Sequence, residues 1–143
     1  MKIFFDEDNG HRLPRALRLV KMPAEAIESP YRTTIPEIRP GTKDRDWIPW
    51  AGDNGWLVFS QNYHMLQNHE EFELLLRHKV GIVFTKQGNY RTWEVLRIVV
   101  DRWDWLQQID RHGERPFAFL IGLDRRPRQY DLSLGPMPFR RAP

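Results

Sequence analysis

The side chains best suited to chemistry lie in three short stretches: Asp6-Glu7-Asp8, Asp44 with Asp46, and Asn62. Asp6-Glu7-Asp8 and Asn62 follow apolar runs and Asp44 with Asp46 opens one, so that a strand end or a helix start would present each to solvent. Two carboxylates and an amide brought into one cleft would suit a hard divalent ion. Mg²⁺ and Mn²⁺ bind oxygen ligands, keep several waters, and need few protein carboxylates when phosphate oxygens complete the shell. Such an ion lowers the pKa of a bound water and stabilises charge developing on a phosphodiester. The chain has no Cys, which excludes disulfides and thiolate metal sites. His11, His64, His69, His78 and His112 lack the His-x-x-x-His spacing of a helical zinc site. Each acid also has a structural alternative: Asp8 as cap of a first helix and Asp44 as N-cap of a second, where capping is worth about 1 kcal/mol.

Further residues qualify the picture. His64 lies two positions past Asn62, where it could touch a phosphate or move a proton, or serve as an ordinary loop histidine. Arg12, Arg15, Arg18 and Lys21 recur at helical spacing beside Asp6, which fits either a nucleic-acid backbone or a solvated helix face. Tyr90, Arg91 and Trp93 open a long helical stretch; an aromatic there could stack on a base and Arg91 hold a phosphate. Trp93 itself reads as a core residue. Ser60 and Thr85 end strands without a neighbouring His-Asp pattern and read as structural.

These groups need a scaffold, and the apolar pattern supplies one. Lys2 to Phe5, Trp56 to Ser60, Val80 to Thr85 and Phe117 to Ile121 are short apolar runs that read as buried strands. Between them, Leu13, Ala16, Leu17 and Val20 predict a helix over about His11 to Val20, with Pro14 tolerated in its first turn. Ala24 to Glu28 is an edge strand or an irregular connection. Trp47, Ile48, Trp50 and Ala51 predict a second helix, stopped at Asn54-Gly55, and Phe72, Leu75 and Leu76 a third. Gly88-Asn89 marks a loop. Trp93 to Ile109 carries the strongest amphipathic repeat, on which Trp103 and Trp105, about 200° apart, cannot share a face. Strands alternating with helices imply a mostly parallel α/β sheet flanked by helices, with function at the carboxyl ends of the strands.

At 143 residues and 41% hydrophobic composition the chain is long enough for a single core. Its net charge of +3 is a C-terminal property: Arg111, Arg115, Arg125, Arg126, Arg128, Arg140 and Arg141 face only Glu114, Asp124 and Asp131. With Pro127, Pro136, Pro138 and Pro143, residues 123–143 read as a Pro/Arg-rich tail behind a domain of residues 1–122. The tail could meet nucleic acid or an acidic partner, or remain solvated. No signal peptide or membrane-spanning run is evident, so a soluble, cytoplasmic protein is expected.

At the acidic junctions the chain resembles the PIN-domain superfamily, and in particular the short PIN-like toxins of VapBC-type toxin–antitoxin pairs. The resemblance covers about residues 1–122. It rests on Ile3-Phe4-Phe5-Asp6-Glu7-Asp8, Gly41 to Ile48, Trp56 to Asn62, Val80 to Phe84 with the helix after Gly88 to Trp93, and Arg115 to Phe119. It implies a PIN-like three-layer fold and a metal-dependent endoribonuclease using Mg²⁺ or Mn²⁺ on RNA, held inactive by a cognate antitoxin and commonly dimeric. By position, Asp6 would be the central metal ligand and Asp44 the second acid, with Asp46 as a substitute. Asn62 departs from the pattern, which has Asp there; an amide carbonyl still ligates but removes one negative charge. Three readings of Asn62 follow: drift toward a weak or inactive nuclease, a deliberate disabling change, or compensation by Glu7, Asp8 or a neighbour. The alternative function is an inactive PIN-like module that binds RNA or an antitoxin, and a third is an interaction domain without a nucleic-acid role.

Overall fold

A computed structural model describes residues 1–31, 35–86 and 90–138. Its centre is a six-stranded sheet formed by β1 (Lys2–Phe5), β2 (Ala26–Glu28), β3 (Leu57–Ser60), β4 (Gly81–Phe84), β5 (Phe117–Leu120) and β6 (Arg128–Tyr130), in the order β2-β1-β3-β4-β5-β6. The first five strands are parallel, and β6 pairs antiparallel to β5. Parallel pairing requires a crossover after each strand, and the helices α1 (Arg12–Leu19), α2 (Asp44–Asp53), α3 (His69–Arg77), α4 (Thr92–Asp101) and α5 (Trp103–His112) provide these.

Side chains alternate across the sheet, and both faces are covered. Ile3, Phe5, Leu57, Phe59, Val83 and Phe117 pack with Leu13 and Leu17 of α1, Val95, Ile98 and Val99 of α4, and Trp103 and Leu106 of α5. Phe4, Val58, Ile82, Phe84 and Ala118 point the other way, onto Trp47, Ile48 and Ala51 of α2 and Phe72 and Leu75 of α3. The result is the expected three-layer α/β architecture.

Four details differ from the sequence reading. The amphipathic repeat from Trp93 to Ile109 is two helices, broken at Arg102, whose guanidinium donates to the Arg125 carbonyl at 2.6 Å. Trp103, just beyond, is buried and donates its indole N–H to Pro23 O at 2.8 Å, while Trp105 is half-buried edge-on to Phe119. Trp93, expected in the core, is 60% exposed. Of the residues expected as a tail, 123–138 continue the fold: β6 extends the sheet, Tyr130 Oη donates to Gly135 O, and Met137 N–H donates to Leu66 O at 2.7 Å. Asp44 is the first residue of α2, not its cap; Lys43 takes that position. Gly88-Asn89, Arg140, Arg141 and Pro143 lie outside the described residues. Among those described, no helix is long and apolar enough to cross a membrane.

Candidate active site

β1 lies inside the sheet, so the residue after it leaves the core at the carboxyl edge. That residue is Asp6, 3% exposed, whose N–H still donates to Phe59 O of β3 at 3.3 Å. A buried Asn9 fixes it: its amide donates to Asp6 Oδ1 at 3.0 Å and to Phe59 O at 3.0 Å, while its own carbonyl accepts from Gln61 Nε2 at 3.2 Å. Asp8 sits in a short 3-10 turn, Glu7–Asn9, and accepts from Gln61 N–H at 3.3 Å, with Ser60 Oγ 3.5 Å away. It therefore does not cap α1.

Glu7 takes a positioning role that its sequence neighbours do not reveal. Both of its carboxylate oxygens accept from the Gly41 N–H, at 3.0 and 2.9 Å. Gly41 has φ +90°, a conformation that disfavours any side chain, and the brace closes the loop before α2 against the exit of β1. α2 thus begins beside Asp6. Asp44 Oδ1 accepts from the Trp47 indole at 3.0 Å, and Asp6, Glu7, Asp8, Thr42, Asp44 and Asn62 together line a cleft of about 280 Å³. Asn62 enters this cleft because Ser60 Oγ accepts its backbone N–H at 2.9 Å, bending the chain as it leaves β3.

The remaining candidates lie elsewhere. Asp46 is exposed and absent from the cleft, since two residues along a helix turn a side chain by about 200°. His64 is exposed, stacked on Tyr63 and paired through Nδ1 with Gln67 Oε1 at 2.6 Å. Arg91 is the N-cap of α4, where its backbone N–H donates to Glu94 Oε1 at 2.9 Å. Of the basic stripe, Arg12 and Arg15 are exposed, Arg18 donates to Ile27 O at 2.9 Å, and Lys21 falls beyond α1.

Electrostatically the site is a group of carboxylates, with Lys43 and Arg45 lining the neighbouring hollow beside Asp44 and Glu71. Among the described residues no Lys, Arg or His makes an ion pair with Asp6, Asp8, Asp44 or Glu71. Burial, then the neighbouring Asp8 carboxylate and Asp44, hold the Asp6 pKa well above the usual carboxylate range, with Ser60 opposing. Glu71, in the first turn of α3, is pushed up to about 7 by burial and by Asp44. The sequence reading missed Glu71 because nothing in local spacing links it to Asp44 on another helix.

Glu71 gives a prediction whose sign can be worked out. Its folded pKa exceeds its unfolded one, so between about 4.5 and 7 the folded state holds more protons and stability falls as pH rises. Glu71→Gln, which does not titrate, is expected to melt close to the parent at pH 4 and above it at pH 8. Thermal denaturation across that range checks this; a variant that melts lower at pH 8 would refute it.

The donor set is entirely oxygen, the chemistry of Mg²⁺ or Mn²⁺. Among the described residues no three His, Asp or Glu side chains are grouped closely enough to hold one ion. An ion here would rest on at most two such groups, and water, amide or phosphate oxygens would fill its other positions, which is how Mg²⁺ is commonly held. The residues fit a weakly chelated hard cation.

Comparison with known families decides the kinship: the family model for PIN-like domains matches residues 1–87. The chain belongs to the PIN-like domain family. The matched region runs from β1 through β4 and contains every residue lining the acidic cleft. PIN domains are generally nucleases. Neither the curated proteins nor the solved structures gave a match.

Proposed function

We propose that this PIN-like chain is a metal-dependent endoribonuclease, of the type that forms the toxin of VapBC-type pairs, with Asp6 at the centre of its site. One observation carries the reading: Asp6 is buried at the carboxyl edge of a parallel sheet, crowded by two further carboxylates and ion-paired with no cation of the protein among the described residues. A buried, uncompensated charge costs several kcal/mol. Folds keep such groups at sites of function, where a ligand supplies the missing charge.

Asp6 and Asp44 would hold Mg²⁺ or Mn²⁺, with the Asn62 side-chain carbonyl as a third oxygen. The ion when bound would lower the pKa of a water and neutralise charge on the phosphodiester. The chain's own part is to fix geometry. Asn9 sets the Asp6 carboxylate, the Trp47 indole sets that of Asp44, and Glu7 keeps the two elements together through Gly41. Asn62 favours a second reading, RNA binding without cleavage, because the cleft has one charge fewer than the family pattern suggests.

The test is incubation of unpaired and hairpin RNA with the protein in Mn²⁺ and in EDTA, alongside Asp44→Asn. Cleavage is expected in Mn²⁺, none in EDTA, and a loss of about 100-fold on Asp44→Asn, since even groups behind a metal ligand matter 10- to 100-fold. RNA bound yet intact under every metal condition would favour the second reading.

A further inference from the structure

The acidic cleft makes no use of the exposed ring at the start of α4. Trp93 is 60% exposed and belongs to neither core cluster. Burying a large side chain is worth roughly 2–3 kcal/mol, so a tryptophan left in water forgoes one of the largest gains a residue offers. Its setting is cationic. Arg91 lies two residues before it, Lys86 follows β4, and Arg12 and Arg15 stand on α1, all four exposed. Among the described residues none of the four makes an ion pair.

The topology brings these groups to one edge. α1 and α4 pack side by side on the same face of the sheet, and each follows a parallel strand, β1 and β4. Both helices therefore begin at the carboxyl edge, the edge at which Asp6 terminates β1. Only β3 separates β1 from β4, a lateral distance of about 10 Å at ~4.8 Å per strand, which is a few nucleotides of chain. At the far end of this helical layer Leu19, Val20 and Val100 are exposed, with Lys21 just beyond α1. Free cations and a bare flat ring beside a carboxylate cleft match a polyanion that carries accessible base faces. A duplex buries those faces in its own stack, so the complementary ligand is a single strand.

We infer that Trp93, with Lys86, Arg91, Arg12 and Arg15, forms a track for single-stranded RNA. Trp93 stacks on an unpaired base while the cations hold phosphates and lead the strand toward Asp6. The inference rests on the nuclease reading proposed above and adds the surface, outside the acidic cleft, that would hold the strand. The test is fluorescence anisotropy of the full chain in EDTA, so that binding is read without cleavage. The probes are an end-labelled RNA of about 12 nucleotides, long enough for a typical single-strand site, and the same strand annealed to its complement.

The single strand is expected to bind more tightly than the duplex. Trp93→Ala should weaken it about ten-fold or more, and Trp93→Phe should retain most of the affinity, as stacking requires. Arg91→Ala or Arg12→Ala should reduce the slope of log affinity against log salt by about 0.7, one phosphate contact on a single strand. Thermal unfolding of Trp93→Ala should match the parent. The inference is overturned if Trp93→Ala binds the single strand as tightly as the parent, or if the parent binds duplex equally well or no RNA at all. It is likewise overturned if sedimentation shows Trp93→Ala splitting a dimer with RNA affinity unchanged, which would make this face a contact between two copies of the chain. Because the assay excludes cleavage, failure of the catalytic proposal would leave a positive result here standing.

Discussion

Asp6→Asn is expected to abolish metal-dependent RNA cleavage and, at the same time, to raise the melting temperature near neutral pH. The two effects share one origin. Burial and the Asp8 and Asp44 carboxylates raise the Asp6 pKa when the chain folds, so above the unfolded value of about 3.9 the folded state holds the extra proton. The slope of stability with pH is then negative, and stability falls as pH rises from about 4 toward the raised folded pKa. Asparagine does not titrate, and its carbonyl can still accept from Asn9. The stability gap between Asp6→Asn and the parent should therefore be small at pH 4 and widen with pH, by several degrees if about 1 kcal/mol is recovered.

Metal supplies an independent readout. If Asp6 holds Mn²⁺, the ion should raise the melting temperature of the parent, by an amount equivalent to about 2.7 kcal/mol at 100 times the dissociation constant, and should leave Asp6→Asn unmoved. A variant less stable than the parent at every pH would make Asp6 a structural group. Unchanged cleavage would remove it from the centre of the site. A stabilised but inactive variant is what the trade between stability and activity leads one to expect of a working carboxylate.

What the sequence disclosed depended on how local each signal was. β1, β3, β4 and β5 are covered on both faces, so they appear as unbroken apolar runs such as Leu57-Val58-Phe59, and the carboxyl-edge position of Asp6 follows directly. β6 could not be found this way. At the sheet's edge Arg128 and Gln129 are exposed, and its pairing depends on β5. The break at Arg102 was hidden because apolar spacing continues across it, whereas the contacts at the junction, Arg102 to Arg125 and Trp103 to Pro23, are distant in sequence.

The candidate site divides in the same way. Asp6, Asp44 and Asn62 could be proposed because each stands at an element boundary, and the cleft does bring them together. Choosing Asp44 over Asp46 required the rotation of α2 about its axis, which is set by burial of Trp47, Ile48 and Ala51. Glu7 looked like a spare ligand, but it is occupied with a backbone N–H supplied from 34 residues away. Glu71 and Asn9 were missed for a related reason: Glu71 faces Asp44 from another helix, and Asn9 reaches Phe59 O, 50 residues on. Trp93 was assigned to the core because large aromatics usually lie there, and its exposure is informative for that same reason.

Asn62→Asp carries the second large effect, because it places a further charge in a cleft that already holds Asp6, Asp8 and Asp44. Without metal the change adds like-charge repulsion, so in EDTA the variant is expected to melt below the parent above about pH 5. With Mn²⁺ the sign reverses, since the added carboxylate strengthens chelation; affinity should rise about ten-fold and the melting temperature should recover or exceed that of the parent. Cleavage should increase with it, because a better-held ion is present for more of each encounter with RNA. Titration calorimetry with Mn²⁺, melting in Mn²⁺ and in EDTA, and a cleavage assay read the three consequences separately. A variant that gains both metal and cleavage identifies Asn62 as the residue that weakens this nuclease. One that gains metal without cleavage places the defect elsewhere in the site and supports the RNA-binding reading. If the variant is destabilised and Mn²⁺ does not reverse the loss, Asn62 does not face a metal site, and the assignment of Asp6, Asp44 and Asn62 as a shared ligand set fails.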